Sequence, residues 1–234
     1  MANIQVLDKT LHAELCVENR LSFEHVQKAN LVPLVIDEFF FAAVNFPIVF
    51  VKEPTTGEFR AVGLVGLEQG ENLIFNQAGA LSTYIPTSIS RYPFSAAINK
   101  DAGNLSLCID MDSKLVGNQG ERLFNSSGEP TELTIRKIND LSKLMGQEVN
   151  THKFIDFLFK KGLIEPVELK INLRDDQKKL GGLYRISQKA LNELDDETII
   201  FIQRNNYFGL IHAHLLSFGH IQRLIDIKLK NRAE

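Results

Sequence analysis

Near Pro130 the apolar residues change their period, and this switch constrains the fold more than any other feature of the chain. Before it, from Leu31 to about Asp112, the sequence is rich in Val, Ile, Phe and Leu and is cut every few residues by Gly or Pro. After it, Leu133, Ile138, Leu141, Leu144 and Met145 recur at three- and four-residue steps. The first pattern is that of short strands joined by turns, and the second that of amphipathic helices.

Residues 46–51 read as a strand, 53–58 as a turn and 59–67 as the returning strand. Pro54 presets one turn dihedral and Gly57 permits a positive one. A turn at 69–72, a third strand at 73–75 and a turn at 77–80 complete an antiparallel meander. Residues 84–92 are ambiguous: Pro86 can open a short helix, and Pro93 ends it. Residues 94–98 and 105–110 read as a hairpin across 99–104. Glu129-Pro130-Thr131-Glu132 carries helix-start chemistry. The helical pattern restarts at Phe154, Phe157 and Leu158. It ends at Gly162, behind Lys160 and Lys161, which suit a negative helix end. Residues 167–173 and 183–186 read as late strands that join the earlier sheet. Ser187 caps a helix over 188–194, and 199–204 and 208–230 are helical, with a break at Asn205-Asn206. No linker-like stretch divides the chain, and residues 1–30 are mixed and polar. The expected architecture is one α+β domain over 1–234, with 1–30 as a peripheral N-terminal segment. Its first half is mainly antiparallel sheet, covered by helices from the last third.

With 234 residues, 44% of them hydrophobic and 24% charged, the composition is that of a folded protein with a sizeable core. Lys plus Arg is 26 against 29 Asp plus Glu, a net charge of −3, which argues against a dedicated duplex nucleic-acid binder. Cys16 and Cys108 form no C-x-x-C pair, and reduced thiols in a cytoplasmic protein are the simpler reading. Residues 1–10 lack a basic region followed by an apolar one, so no signal peptide is expected. The longest apolar stretch, 31–51, is interrupted by Pro33, Asp37, Glu38, Asn45 and Pro47. It reads as core rather than as a membrane span, which needs about 20 mainly apolar residues.

Several residues are candidates for chemistry. Asp110 and Asp112 alternate at a strand end, so both carboxylates would share a face, to hold a cation or move a proton. The plain alternative is a polar strand end meeting solvent. Glu121 and Arg122 follow Gly117-Asn118-Gln119-Gly120 and form either part of a site or an ion pair with Arg91. Arg91 and Tyr92 lie on a neighbouring loop. His212, His214 and His220 crowd the C-terminal region, but i and i+2 on a helix point about 200° apart. His212 and His220 remain weak metal candidates, and helix-face histidines are the better reading. His12-Ala13-Glu14 matches half of a histidine–carboxylate iron triad without its strand context. Gly63 and Gly66 lack the setting of a nucleotide loop, and no G-x-S-x-G, H-E-x-x-H or P-loop occurs. A thiol nucleophile has no specific support, and no cofactor is expected. Arg223, Lys228, Lys230 and Arg232 give a basic amphipathic end, suited to an acidic partner, to a membrane surface or to its own helix dipole.

Six segments, in order, resemble the bacterial SapC family from about Asn30 to Leu224. They are Asn45-Phe46-Pro47-Ile48-Val49-Phe50, Arg91-Tyr92-Pro93-Phe94, Leu107-Cys108-Ile109-Asp110, Gly120-Glu121-Arg122-Leu123-Phe124, Ile164-Glu165-Pro166 and Ala213-His214-Leu215-Leu216-Ser217-Phe218. The chain departs from the usual pattern at Ile164, where leucine is commoner, and at Phe218-Gly219-His220. The family name links such proteins to export of bacterial surface-layer proteins, and other members accompany flavin-dependent halogenase-like proteins and outer-membrane receptors. The resemblance implies an accessory role and no particular reaction.

The expectation is therefore a non-catalytic cytoplasmic protein that binds a protein or peptide partner in surface-protein export or peptide modification. It would show an exposed apolar patch. The alternative is an enzyme acting on a peptide or amino-acid side chain, with a cleft lined by Arg91, Tyr92, Asp110, Glu121 and Arg122. A third reading, an export component near the membrane, rests on the basic tail.

Overall fold

Proline and glycine cut the apolar first half into short strands, and the computed structural model shows where each goes. It describes residues 3–76, 79–98, 105–173 and 176–231. Among these, the strands are β1 (Ile4–Val6), β2 (Cys16–Val17), β3 (Leu31–Pro33), β4 (Ile48–Lys52), β5 (Phe59–Leu64), β6 (Phe75–Asn76), β7 (Gly79–Ala80), β8 (Phe94–Ile98), β9 (Leu105–Asp110), β10 (Val116–Gly117), β11 (Glu121–Arg122), β12 (Ile164–Leu173) and β13 (Asp176–Ile186). The helices are α1 (Phe39–Ala43), α2 (Thr87–Ser90), α3 (Glu132–Lys160), α4 (Gln188–Asn192), α5 (Asp196–Arg204), α6 (Tyr207–Ser217) and α7 (His220–Asn231). The class is α+β: every paired strand is antiparallel, and α4 to α7 occupy the last third. The turn expected over 99–104, half of the one over 77–80 and Arg232 lie outside the described residues.

The chain divides into two compact units, Met1–Ser22 with Thr87–Gly146 and Phe23–Pro86 with Gln147–Glu234. In the first, β9 is flanked by β1 and β8, and β2 by β10 and β11. Residues before 30 show no strand pattern in sequence, because segments of two and three residues are too short for a period to appear. They nevertheless supply β1 and the central strand β2, where Cys16 and Val17 are buried.

The second unit holds a five-stranded sheet in the order β12-β13-β4-β5-β3. The β4–β5 hairpin turns through Gly57 at φ +74, as the sequence requires. The late strands join this sheet through β13, which pairs with β4. The third strand of the expected meander does not follow β5. Leu73 N–H donates to Val65 O at 2.7 Å, but the next amides, of Ile74 and Phe75, donate to the Asn72 side chain at 3.1 and 2.7 Å. A strand whose amides are taken locally cannot extend a ladder, and β3 covers that edge of β5 instead.

Gly63 and Gly66 serve packing rather than a phosphate. Gly63 stands opposite Ile48 across the β4–β5 pair, and a Cβ there would sit 2.6 Å from the Phe46 ring. A Cβ on Gly66 would overlap the Glu71 carbonyl.

The two helical stretches expected around 133–158 are one 29-residue helix, α3. No proline interrupts it, and Gly146 alone does not break it. Leu133, Leu141 and Leu144 are buried in its first half, and Phe154, Ile155 and Leu158 in its second. It ends at Gly162, φ +66, with Leu163 N–H bonded to Leu158 O at 2.8 Å. Ser187 caps α4 by accepting from Ala190 N–H.

The decisive joint of the second unit lies where β13 and β4 part. Their pairing, Leu183 with Val51 and Tyr184 with Phe50, would set Ile186 opposite Ile48 if it continued. It stops, and α6 takes both amides. His214 Nε2 accepts from Ile186 N–H at 3.0 Å, and Ser217 Oγ accepts from Ile48 N–H at 2.8 Å. The two side chains share a helix face at i and i+3. His214 is fully buried, with its ring stacked on Phe50 at 4.9 Å. Burial, reinforced by the Arg185 cation, lowers its pKa to about 3, so the imidazole is neutral and can accept.

The basic tail is partly internal. Lys228 is buried in α7, with Nζ 2.7 Å from both Glu68 and Glu71, and Lys178 reaches Glu68 at 2.6 Å. The hydrogen bonds from Lys178 and Lys228 hold the Glu68 carboxyl down to about 2.

Two predictions follow from these joints. Gly63→Ala should lower stability by about 1–3 kcal/mol in urea unfolding, because the new methyl meets the Phe46 ring. His214 is neutral when folded and protonates near 6.5 when unfolded, so its contribution is complete above pH 6.5 and is lost as pH falls towards 3. His214→Gln keeps an acceptor for Ile186 N–H but does not titrate. Between pH 6.5 and 4.5 its stability should fall less steeply than the wild type's, the difference reaching at most about 1.4 kcal/mol per pH unit.

Candidate functional site

The residues singled out from the sequence for chemistry lie mainly in the first unit, and only some are brought together. The β8–β9 register sets Phe94 against Ile109, so Tyr92 and Pro93, just before β8, meet Asp110 at the end of β9. Asp110 N–H donates to Pro93 O at 3.0 Å, and Tyr92 Oη donates to Asp110 Oδ2 at 3.2 Å. Asp110 is buried, and its Oδ1 accepts from Asp112 N–H at 3.2 Å. Asp112 lies past the strand end and is exposed, so the two carboxylates do not share a face.

Glu121 and Arg122 form β11 on the other small sheet, opposite Val17 and Cys16, and both are exposed. Arg122 pairs with Glu14, and among the described residues the Glu121 carboxylate forms no ion pair with Arg91. Gly120, at φ +103, lies so close to the Val17 carbonyl that a Cβ would overlap it, which accounts for the glycine before this pair. Arg91 is half-buried after α2 and forms no ion pair among the described residues.

Beside Tyr92 is a pocket of about 140 Å3. Glu18, Asn19, Arg20, Ser90, Tyr92 and Lys137 supply its polar lining. Arg20 and Glu18 pair at 2.5 Å, and the Lys137 ammonium sits 5.8 Å from the Phe94 ring centroid. The volume admits a few waters, each occupying roughly 30 Å3. Chemically, this corner offers a buried carboxylate held by a phenol and a backbone amide.

His212 is exposed on α6, stacked against Phe208 at 6.3 Å. His220 opens α7, and burial, then the Arg223 cation, lowers its pKa against a hydrogen bond to the Ala43 backbone. Among the described residues no three His, Cys, Asp or Glu side chains gather where a metal ion would be held.

A feature the sequence reading missed lies in the second unit. The stretch 31–51 reads as core, yet α1 and its C-cap leave Phe40 57%, Phe41 58% and Val44 69% exposed. Leu216 on α6 is 76% exposed. Only one side of a five-residue helix can face inward, and Phe39 and Ala42 take it. The run Phe39-Phe40-Phe41 was the available signal. The face is firmly held. A Cβ on Gly209 of α6 would lie 2.7 Å from the Phe40 ring tip, and Phe41 stacks on Tyr84 at 5.3 Å. Asn45 Nδ2 donates to Phe41 O at 2.8 Å, while its Oδ1 accepts from Thr83 N–H and Oγ1–H at 2.9 and 3.0 Å. Arg223 donates to Asn45 O at 2.8 Å and to Leu81 O.

If the Tyr92–Asp110 contact is part of the fold, Tyr92→Phe should cost about 1–3 kcal/mol in urea unfolding, the range for a hydrogen bond to a buried charged acceptor. Unchanged stability would show that the phenol is not a structural partner.

Among the described residues no helix is long and apolar enough to cross a membrane. No curated protein and no solved structure matches the chain. A family model described as SapC matches residues 7–224, nearly the full length and all six of the ordered segments. This chain belongs to the SapC family.

Proposed function

We propose that this SapC-family chain is a non-catalytic bacterial accessory protein that binds a protein or peptide partner through the apolar face of α1 and α6. The observation that carries the reading is the exposure of Phe40, Phe41, Val44 and Leu216 on elements held rigid from beneath. Exposed aromatic side chains on a fixed backbone lose little freedom on binding, which favours affinity. The family resemblance supports a place in surface-protein export or peptide modification, and the two unpaired buried thiols fit a cytoplasmic setting.

The enzyme reading has narrower support. Tyr92 and Asp110 meet beside a small polar pocket, but Glu121 and Arg122 lie on a different sheet, and the Asp110 carboxylate is already satisfied.

The test is quantitative co-purification of the tagged chain from its host after mild crosslinking, beside a Phe40→Asp/Leu216→Asp variant. Both positions are exposed, and because the Phe40 ring also rests on Gly209, unchanged urea unfolding of the variant is the control for an intact fold. The wild type should bring down one dominant partner at near-equal amount. The variant should weaken that association at least roughly thirty-fold, as loss of a binding hot spot of about 2 kcal/mol does. Equal recovery with the variant, or no partner with the wild type, would contradict the proposal.

A further inference from the structure

A second concave surface in the Phe23–Pro86 and Gln147–Glu234 unit has a different chemistry from the apolar face. The β4–β5 turn and one side of α3 line an open pocket of about 420 Å3. That lies in the range, roughly 300–1,000 Å3, of small-molecule sites. Its floor is apolar: Ile155 and Phe59 are buried, and the Phe159 ring lies 5.4 Å from that of Phe59 while remaining 56% exposed. His152, Ile155, Asp156 and Phe159 follow the i, i+3, i+4, i+7 spacing of a single helix face.

Two of the pocket's charges are not used by the fold. Asp156 is paired with Lys160 at 2.7 Å. Lys153 on the helix and Glu58 on the turn both line the pocket, and neither side chain has an ion-pair partner among the described residues. The pocket therefore offers an apolar shelf flanked by the Lys153 cation and the Glu58 anion, with the His152 imidazole alongside and the Lys52 ammonium 5.8 Å from the Phe59 ring centroid. Each charge gains from an opposite charge brought within reach.

We infer that this pocket binds a small zwitterion with an apolar side chain, a free α-amino acid, whose carboxylate meets Lys153, whose ammonium meets Glu58 and whose side chain lies on Phe59 and Phe159. This site is independent of the α1–α6 face and of the partner-binding reading.

The probe is L-phenylalanine, titrated by calorimetry into the full chain, with glycine, N-acetyl-L-phenylalanine and L-phenylalanine amide as comparators. L-Phenylalanine should bind, and glycine, which lacks the apolar group, should bind at least ten-fold more weakly. Each derivative missing one charge should also lose at least ten-fold. Lys153→Ala should weaken L-phenylalanine but leave its amide unchanged, and Phe159→Ala should weaken both. Both substituted side chains are exposed, and unchanged thermal melting of the variants confirms that they fold. Absence of L-phenylalanine binding, equal binding of either singly charged derivative, or affinity indifferent to Lys153→Ala would overturn the assignment.

Discussion

The Phe23–Pro86 and Gln147–Glu234 unit depends on how two backbone amides are satisfied where β13 and β4 diverge. A buried N–H without an acceptor costs about 1–3 kcal/mol, and two lie side by side here. His214 and Ser217 of α6 accept from Ile186 and Ile48. The helix therefore completes the sheet as well as covering it. This requires a neutral imidazole, and burial supplies it by lowering the His214 pKa to about 3. The Ser217 hydroxyl donates back to His214 O at 2.6 Å, so it is satisfied in both roles.

The consequence reaches the surface. With α6 fixed against the strands, Gly209 gives Phe40 a place to rest, and α1 is held across its other end by Asn45, Thr83 and Arg223. Phe40, Phe41 and Val44 are thus presented outward on a helix that would not be stable alone, since five residues are far fewer than an isolated helix needs. Polar bonds beneath the face keep it in place although its apolar groups are not buried.

The segments that mark the family divide between the two units, and several meet as contacting pairs. Asn45 to Phe50 meets His214 to Ser217 in one unit, and Arg91 to Phe94 meets Leu107 to Asp110 in the other. Gly120 in the Gly-Glu-Arg segment allows close approach to β2. These residue choices have folding reasons, and for that reason a motif list alone points poorly to a site. Much of the fold was legible because it rests on local rules: the Gly57 turn, the β8–β9 pair, the Gly162 helix end and the Ser187 cap. What was illegible rests on contacts distant in sequence. Nothing near Leu73 reveals that Asn72 takes the next amides, and two-residue strands such as β2 have no period. His214 resembles any helix-face histidine until β13 is in place. The Asp110–Asp112 pairing failed because the strand stops at Asp110, and the outward phenylalanines of α1 were hidden inside an apolar run.

The central claim, that the α1–α6 face meets the partner, is tested most directly by site-specific photocrosslinking in the host. A photoreactive phenylalanine analogue replaces Phe41 in one strain and Glu121, exposed on β11, in another. The account requires a discrete adduct with one partner from position 41 and none from position 121. An adduct from position 121 alone would contradict it and would move the functional surface to the small sheets of the other unit.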